Sequence, residues 1–216
     1  MIKVLIAATL YLLLFVAVEV VTKRQKLSKE MSRKFIHVVA GVTVAFLPYV
    51  MSFHEIAWLS LLFIAVMLIS KKANVFSAIH EVKRSTYGEV YFPFAILLTA
   101  LLFPRKELYV YGLLVMAISD GFASIIGQKY GKHKYSIFGT SKSYVGSGVF
   151  FVTALAIGSV VLASLTSISI LAAVMMSLIS GALLTVVEAG LSRGLDNLAI
   201  PLLAACLFDV GLKLVR

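Results

Sequence analysis

The stretch ISDGFASIIGQKYGKHKYSIFGTSKSYVGSG, residues 118–148, holds the end of one apolar segment, a lysine-rich connection and the start of a second apolar segment. Asp120 lies inside the first apolar segment, where a charged side chain is unfavourable by roughly 2.5 to 3.5 kcal/mol on insertion scales. Such an acid needs a cationic partner, a bound cation or a water-filled cavity, so it predicts a functional site. The residues that follow it include small side chains, lysines and a hydroxyl: Ala123, Gly127, Lys129, Gly131, Lys132, Lys142, Ser143 and Gly146. Together these groups suit the binding of a metal-bound phosphate.

The composition of the whole chain places it in a lipid bilayer. Of its 216 residues, 61% are hydrophobic and 14% are charged, whereas soluble domains have about 45 to 50% apolar and 25% charged residues. The segment 2–21 is too long and too evenly apolar for a signal-peptide core, so we expect a retained membrane span. With one cysteine, Cys206, the chain cannot form an internal disulfide, and no thiol metal site is indicated.

Eight apolar stretches predict an all-α, multi-pass membrane protein that forms a single domain over residues 1–216. The stretches are 2–21, 36–52, 56–70, 90–103, 108–127, 145–164, 168–189 and 197–214. The fourth stretch is short for a span and contains Pro93, so seven spans are the alternative.

The charge distribution predicts the orientation of these spans. Alternate threading places most lysines and arginines on one side of the membrane, which the positive-inside rule assigns to the cytoplasm. The net charge of +10 is then explained by the membrane topology and by phosphate binding, so a nucleic-acid partner is disfavoured.

On this cytoplasmic side the threading gathers four polar clusters at the ends of the predicted helices. The first is Arg33, Lys34 and His37, interpreted as a cationic wall for phosphates, with membrane-anchoring side chains as the alternative. The second, residues 81–91, includes Lys83, Arg84 and Glu89. Glu89 lies at the entrance of the fourth span, where an acid can also serve only to complement a helix dipole.

The third cluster is built on the fifth predicted helix. Asp120, Ser124, Gly127 and Gly131 share one helical face, and the Gly127–Gly131 spacing is alternatively typical of close helix packing. Asp120 is expected about 10 Å from the cytoplasmic end if Gly127 marks that end. Lys142 and Ser143 are expected to open the next helix, where free backbone N–H groups attract phosphate.

The fourth cluster follows the seventh predicted span. It consists of Glu188, Arg193, Asp196 and Asn197. Asp196 can be an N-cap alone. A buried Glu188 near Asp120 suits a magnesium–nucleotide site instead.

In these residues the chain resembles the superfamily of dolichol kinases, phytol kinases and CTP-dependent diacylglycerol kinases. The nucleotide signature of that superfamily is D-x-x-A-x-x-x-G-x-x-x-G, followed after about ten residues by K-[ST]-x-E-G. The matching positions are Asp120, Ala123, Gly127, Gly131, Lys142, Ser143 and Gly146. Val145 stands where many members have glutamate. The segments 32–37, 87–93 and 188–201 are also similar to family segments and come in the expected order.

The resemblance implies transfer of the γ-phosphoryl group of CTP to a membrane isoprenoid alcohol of the dolichol, polyprenol or phytol kind. It implies that Asp120 binds Mg²⁺ together with Glu188 or Asp196. The residues expected around the nucleotide are Arg33, Lys34, Ala123, Gly127, Lys129, Gly131, Lys132, Lys142, Ser143, Gly146 and Asn197. His37, Glu89 and Asp196 are the candidates for the general base. The lipid is expected to reach the site between spans.

Two other functions compete with this interpretation. A phosphatidate cytidylyltransferase would use the same nucleotide, but its C-terminal signature of K-D, H-G-G and D-R-x-D is absent from the sequence. A transporter or scaffold predicts acids near the membrane midplane. Asp120, Glu188 and Asp196 are instead expected toward one face.

Overall fold

The computed structural model describes residues 1–72, 88–137, 139–192 and 194–215, with the side chains of Lys29, Lys71 and Lys72 left out. Glu81, Lys83, Arg84 and Arg193 of the predicted clusters lie outside the described residues. Within the described ranges the helices are α1 (Ile2–Arg24), α2 (Lys29–Ala45), α3 (Phe53–Lys72), α4 (Gly88–Leu102), α5 (Lys106–Leu114), α6 (Gly121–Tyr130), α7 (Tyr144–Leu165), α8 (Ile170–Gly190) and α9 (Asp196–Val215). A 3₁₀ turn (Leu47–Tyr49) follows α2, a wide π-helical turn (Val115–Asp120) joins α5 to α6, and strands β1 (Lys134–Ile137) and β2 (Thr140–Ser143) precede α7.

Each of the eight apolar stretches overlaps a helix. Among the described residues, six helices are long and apolar enough to cross a membrane, when α5, the wide turn and α6 are counted as one continuous helix, Lys106–Tyr130. The 15 residues of α4 reach about 22 Å, less than the roughly 30 Å of a hydrocarbon core. Helix α2 carries Lys29, Glu30, Arg33 and Lys34 in its first two turns. The all-helical membrane architecture is therefore supported, whereas the count of eight spans stays a prediction.

The helix at the centre of the bundle is formed by α5, the wide turn and α6, and we call it the central helix. Residues 108–117 are all buried, and the central helix packs against α2, α4, α7 and α9. Two glycines allow close approaches along it. A Cβ on Gly112 would lie 2.5 Å from the carbonyl oxygen of Pro201 in α9, and one on Gly121 would lie 2.4 Å from Val38 in α2. Helix α6 continues to Tyr130, beyond the end predicted at Gly127.

A β-hairpin, not predicted from the sequence, connects α6 to α7. Lys142 lies in β2, so its predicted place at the start of a helix is wrong; α7 begins at Tyr144 with Ser143 as its N-cap. The strands are four residues each. Lys134–Ile137 alternates polar and apolar side chains, which is the usual strand signal, but β2 contains no apolar residue. Gly139, with φ of 77°, is a further local indication of a hairpin.

Candidate active site

The predicted partner of Asp120 is a lysine from another helix. Lys34, in the second turn of α2, places its Nζ 2.6 Å from Oδ2 of Asp120, the last residue of the wide turn. The two side chains are 10% and 3% exposed. A buried carboxylate is thus compensated by a buried ammonium group, and α2 is fixed against the central helix at this point.

His37 lies one turn beyond Lys34 and faces the same part of the central helix. Its Nε2 is 2.9 Å from the carbonyl oxygen of Met116 and 3.8 Å from Oδ2 of Asp120. A carbonyl oxygen only accepts hydrogen bonds, so Nε2 donates and Nδ1 is the nitrogen that can accept a proton. The ring contacts Phe92 edge-on at 5.2 Å between centroids.

A second ion pair joins the hairpin to α8. Lys142 bonds Oε1 of Glu188, while Oε2 of Glu188 is buried without a hydrogen-bond partner among the described residues. Burial acts to lower the pKa of Lys142, but the carboxylate of Glu188 outweighs it and raises this pKa. Thr140 fixes the hairpin in place, since its Oγ1 donates to the carbonyl oxygen of Ala189 at 2.7 Å. This positioning role of Thr140 was not predicted.

These two pairs belong to one group of buried and partly buried charges, which we call the charge network: Asp120, Glu188, Asp196, Lys34 and Lys142. Every acid in it interacts electrostatically with at least one other acid or lysine of the group. Oδ1 of Asp196 also accepts from the backbone N–H of Asn197 at 3.0 Å. Within these five residues, three carboxylates face two ammonium groups, and Arg33 lies beside Lys34 at the edge of the group.

The third and fourth predicted clusters therefore meet at the end of the bundle where Lys34 of the first cluster also lies. Asn197 connects the second cluster to them. Its side-chain N–H donates to the carbonyl oxygen of Gly88 at 3.0 Å, joining the starts of α9 and α4.

A cleft opens beside the charge network between α1, α2, α3, α4 and α9. Its polar lining consists of Arg33, Lys34, His37, Glu89 and Asn197, and its empty space is about 550 Å³. Nε of Arg33 is buried there without a hydrogen-bond partner among the described residues. Lys34 thus faces both the cleft and Asp120, so a molecule in the cleft comes next to the charge network.

The glycine signature has a packing role in this structure. A Cβ on Gly127 would lie 2.8 Å from Oγ of Ser143, and one on Gly146 would lie 3.0 Å from the carbonyl oxygen of Ala123. A Cβ on Gly131 would also collide with Ser143, at 2.4 Å. Oγ of Ser143 accepts from the backbone N–H of Gly146 at 3.0 Å as an N-cap. The spacing holds α6 against the start of α7, and a nucleotide-binding role for these residues stays a prediction.

Two of the predicted phosphate-binding lysines are placed apart from the buried charges. Lys129 and Lys132 are exposed near the end of α6. Nζ of Lys129 lies 5.2 Å from the centre of the Tyr130 ring. Their contribution to phosphate binding likewise stays a prediction.

The donor set fits a magnesium ion only in part. Magnesium is usually held by one or two carboxylates, with water and substrate phosphates supplying the other ligands. The unpartnered Oε2 of Glu188 and the nearby Asp120 suit that arrangement. Among the described residues, no three His, Cys, Asp or Glu side chains are close enough to hold a metal by themselves.

Helices of membrane-spanning length with buried acids and lysines gathered at one end define a multi-pass membrane protein with a polar site at its helix termini. No family model matches the chain, and no solved structure does. The curated relatives it matches are named phytol kinases. Over 190 aligned residues the chain is 26% identical to the phytol kinase of Synechocystis sp. The alignment covers 84% of this chain and 79% of that protein.

Plant relatives carry a similar name. Identity is 30% over 172 residues to a probable chloroplastic phytol kinase of Zea mays, covering 70% of this chain and 54% of that protein. It is 28% over 162 residues to the Triticum aestivum counterpart, covering 68% and 53%. The chain thus spans about half the length of these plant relatives. Its homologues are members of the polyprenol and phytol kinase family, so the predicted resemblance is confirmed.

Proposed function

We propose that this protein is a membrane kinase that transfers the γ-phosphoryl group of CTP to the hydroxyl of an isoprenoid alcohol. The names of its relatives support an isoprenoid alcohol as the acceptor, and phytol more directly than dolichol or a polyprenol. The observation that carries the proposal is the buried charge network next to a cleft that Lys34 also lines.

Phosphoryl transfer needs mainly accurate positioning and neutralisation of charge. Lys34 is buried and Lys142 is partly buried, and each would exchange its carboxylate partner for a phosphate oxygen when the nucleotide binds. Asp120 and Glu188, released from these pairs, would then hold Mg²⁺. When bound, the metal supplies further neutralisation of the β- and γ-phosphate oxygens.

The acceptor hydroxyl must lose its proton as its oxygen attacks the γ-phosphorus and CDP leaves. His37 and Glu89 both line the cleft, and Asp196 belongs to the adjacent charge network. Each remains a candidate for the base that takes this proton; His37 would accept it at Nδ1 because Nε2 donates to Met116.

The test is a labelling experiment with purified protein, Mg²⁺, phytol, a polyprenol and diacylglycerol. With γ-labelled CTP we expect label in the isoprenoid lipid, and with α-labelled CTP we expect none. Label transferred from α-labelled CTP would instead identify a cytidylyltransferase. No labelled lipid from either nucleotide, with ATP, GTP and UTP also tried, would favour a transporter or scaffold. A variant with Asp120→Asn is the control for contaminating kinases.

We also propose that this site faces the cytoplasm, as the charge distribution predicts. In a Cys206→Ala background, a cysteine replacing exposed Lys132 should resist an impermeant thiol reagent added to intact cells. A cysteine replacing exposed Ser167, in the connection at the opposite ends of α7 and α8, should react. Reaction at position 132 and protection at position 167 would reverse the orientation.

A further inference from the structure

A second cavity lies deeper in the bundle and continues the cleft. It has about 450 Å³ of empty space and is lined almost entirely by apolar side chains of α1, α2, α3 and α4. The cleft and this cavity share Phe15, Ala40, Met67, Glu89 and Phe92. We call the combined space the amphipathic groove, because one end is charged and the other is hydrocarbon.

The polarity of the groove changes along α2. Arg33, Lys34 and His37 line the end beside the charge network, whereas Val44 and Leu47 line the deep end. Ten residues separate Lys34 from Val44, which is about 15 Å at 1.5 Å per residue. A molecule with a polar head and a long apolar tail matches this gradient in both chemistry and direction.

The charged end of the groove has an unsatisfied hydrogen-bonding group. Nε of Arg33 is buried without a partner among the described residues, and buried polar groups are normally satisfied. An oxygen atom of a ligand at this end would accept from it. That oxygen would also lie near Nζ of Lys34 and therefore near Asp120.

We propose that the amphipathic groove binds the hydrocarbon chain of the acceptor alcohol and sets the chain length that the enzyme uses. This inference rests on the proposed function. The hydroxyl lies at the charged end between Glu89 and Lys34, and the tail occupies the deep end between α1, α2, α3 and α4. The γ-phosphoryl group is presented from the charge network on the other side of Lys34.

The cross-section of the deep end limits the acceptor. Its empty space lies between the side chains of four helices and is partly open to the outside. We expect this passage to admit one hydrocarbon chain more readily than the two acyl chains of a diacylglycerol, so the groove favours single-chain isoprenoid alcohols.

The main test narrows the deep end. Val44 is buried and is remote from the charge network. It lines the deep cavity but not the cleft. We expect Val44→Phe to lower kcat/KM for a twenty-carbon alcohol at least tenfold more than kcat/KM for a ten-carbon alcohol. KM for CTP should stay within about twofold. The matched control is Val160→Phe on α7, at a position that is 64% exposed, and it should leave the ratio of the two alcohols unchanged.

A binding measurement keeps the groove testable apart from catalysis. Wild-type protein is irradiated with a fifteen-carbon alcohol that carries a diazirine at its tail, with and without excess phytol. We expect phytol-sensitive labelling of α3 near Leu59 and Phe63, and of α1 near Tyr11, because these residues line the deep cavity and not the cleft. This measurement tests lipid binding in the groove even if the Val44→Phe variant does not accumulate.

The outcomes separate the two proposals. Labelling confined to outward-facing residues of α7 and α8, or an equal effect of Val44→Phe on both alcohols, would overturn the groove even if the protein is a kinase. Phytol-sensitive labelling of α1 and α3 without any phosphorylation by the wild type would keep the groove as a lipid site and reject the kinase function.

Discussion

The two ends of the helix bundle both carry ion pairs, but the pairs lie in different surroundings. At the end that holds the charge network, the side chains of Lys34 and Asp120 are 10% and 3% exposed. At the other end, those of Arg105 and Asp209 are 33% and 19% exposed, and Lys213 adds a second contact to Asp209. The Lys34–Asp120 pair is thus buried, whereas the Arg105–Asp209 pair is partly exposed.

This difference has an energetic meaning. Ion pairs near the surface contribute about 0 to 1 kcal/mol to the free energy of unfolding. The Arg105–Asp209 pair therefore adds little to the stability of the contact between the central helix and α9. Burying a pair removes both charges from water, and well-packed apolar residues often serve stability equally well. Stability alone does not account for three acids and two lysines inside the charge network, whereas the proposed binding of phosphate and a metal would.

The largest effect is expected for Asp120→Asn, which should abolish measurable kinase activity. The substitution removes the charge proposed to bind the metal and leaves Lys34 buried without its partner, which we expect to cost about 3 to 5 kcal/mol of stability. The double variant Lys34→Met, Asp120→Asn should recover much of that stability without any activity. Thermal unfolding in detergent and the CTP assay measure the two quantities. More than about a tenth of wild-type activity in Asp120→Asn, a loss below ~1.4 kcal/mol of barrier, would identify a structural acid.

Lys142→Ala should weaken the use of CTP by about ten- to a hundredfold in kcat/KM, equivalent to roughly 1.5 to 3 kcal/mol for one charge-assisted contact. Lys142→Arg should recover part of the loss. Because the raised pKa of Lys142 keeps its ammonium group charged, the activity profile between pH 6 and 9 should contain no step from this residue. Lys213→Ala, which removes an exposed lysine at the other end, is the control. Equal and minor losses in both Lys142 variants would assign this residue to membrane anchoring.

Gly127→Ala should have a smaller effect that acts through packing. The new Cβ would lie 2.8 Å from Oγ of Ser143, so α6 and α7 must separate, at a cost of about 1 to 3 kcal/mol in the free energy of unfolding. Gly148→Ala is the matched control, because a Cβ there meets nothing within 4 Å. It should be neutral or stabilise α7 by up to about 1 kcal/mol. Identical melting temperatures for the two variants would contradict the packing role.

The smallest effect is expected for Asp209→Asn, which breaks the exposed contacts to Arg105 and Lys213. Stability should fall by no more than about 1 kcal/mol, and kcat/KM for CTP should stay within about twofold. A loss of activity as large as that of Lys142→Ala would remove the contrast between the two ends.

Much of the fold follows from the sequence because apolar stretches long enough for membrane helices are a strong signal. Threading these stretches also places the starts of α2, α4, α7 and α9 beside the ends of α6 and α8, and the contacts of Lys34, Lys142 and Asn197 agree with that arrangement. The need of Asp120 for a cationic partner could also be predicted, because this acid lies inside an apolar segment.

The identity of the partners could not be predicted. Lys34 is 86 residues from Asp120 in the sequence. Lys34, rather than another lysine, pairs with Asp120 because α2 approaches the wide turn closely. That approach is set by Gly41, where a Cβ would lie 2.5 Å from the Cβ of Ala117. Lys129, Lys132 and Lys142 were all expected around the nucleotide, but among these three the hairpin turns only Lys142 toward Glu188.

The wide turn from Val115 to Asp120 has a consequence for insertions and deletions. Each residue of an α-helix advances the chain by about 100° around its axis, since 3.6 residues make a turn. The wide turn closes its backbone hydrogen bonds at i→i+5, so it takes up one residue more than a regular α-helical turn. Losing one of its apolar residues would therefore give a regular α-helix with α6 still facing α2 and α7. Losing a residue from the regular part of α5 instead would rotate everything beyond it by about 100°, turning Asp120 away from α2 and Gly127 away from α7. The wide turn is thus the place in the central helix where a one-residue deletion disturbs the site least.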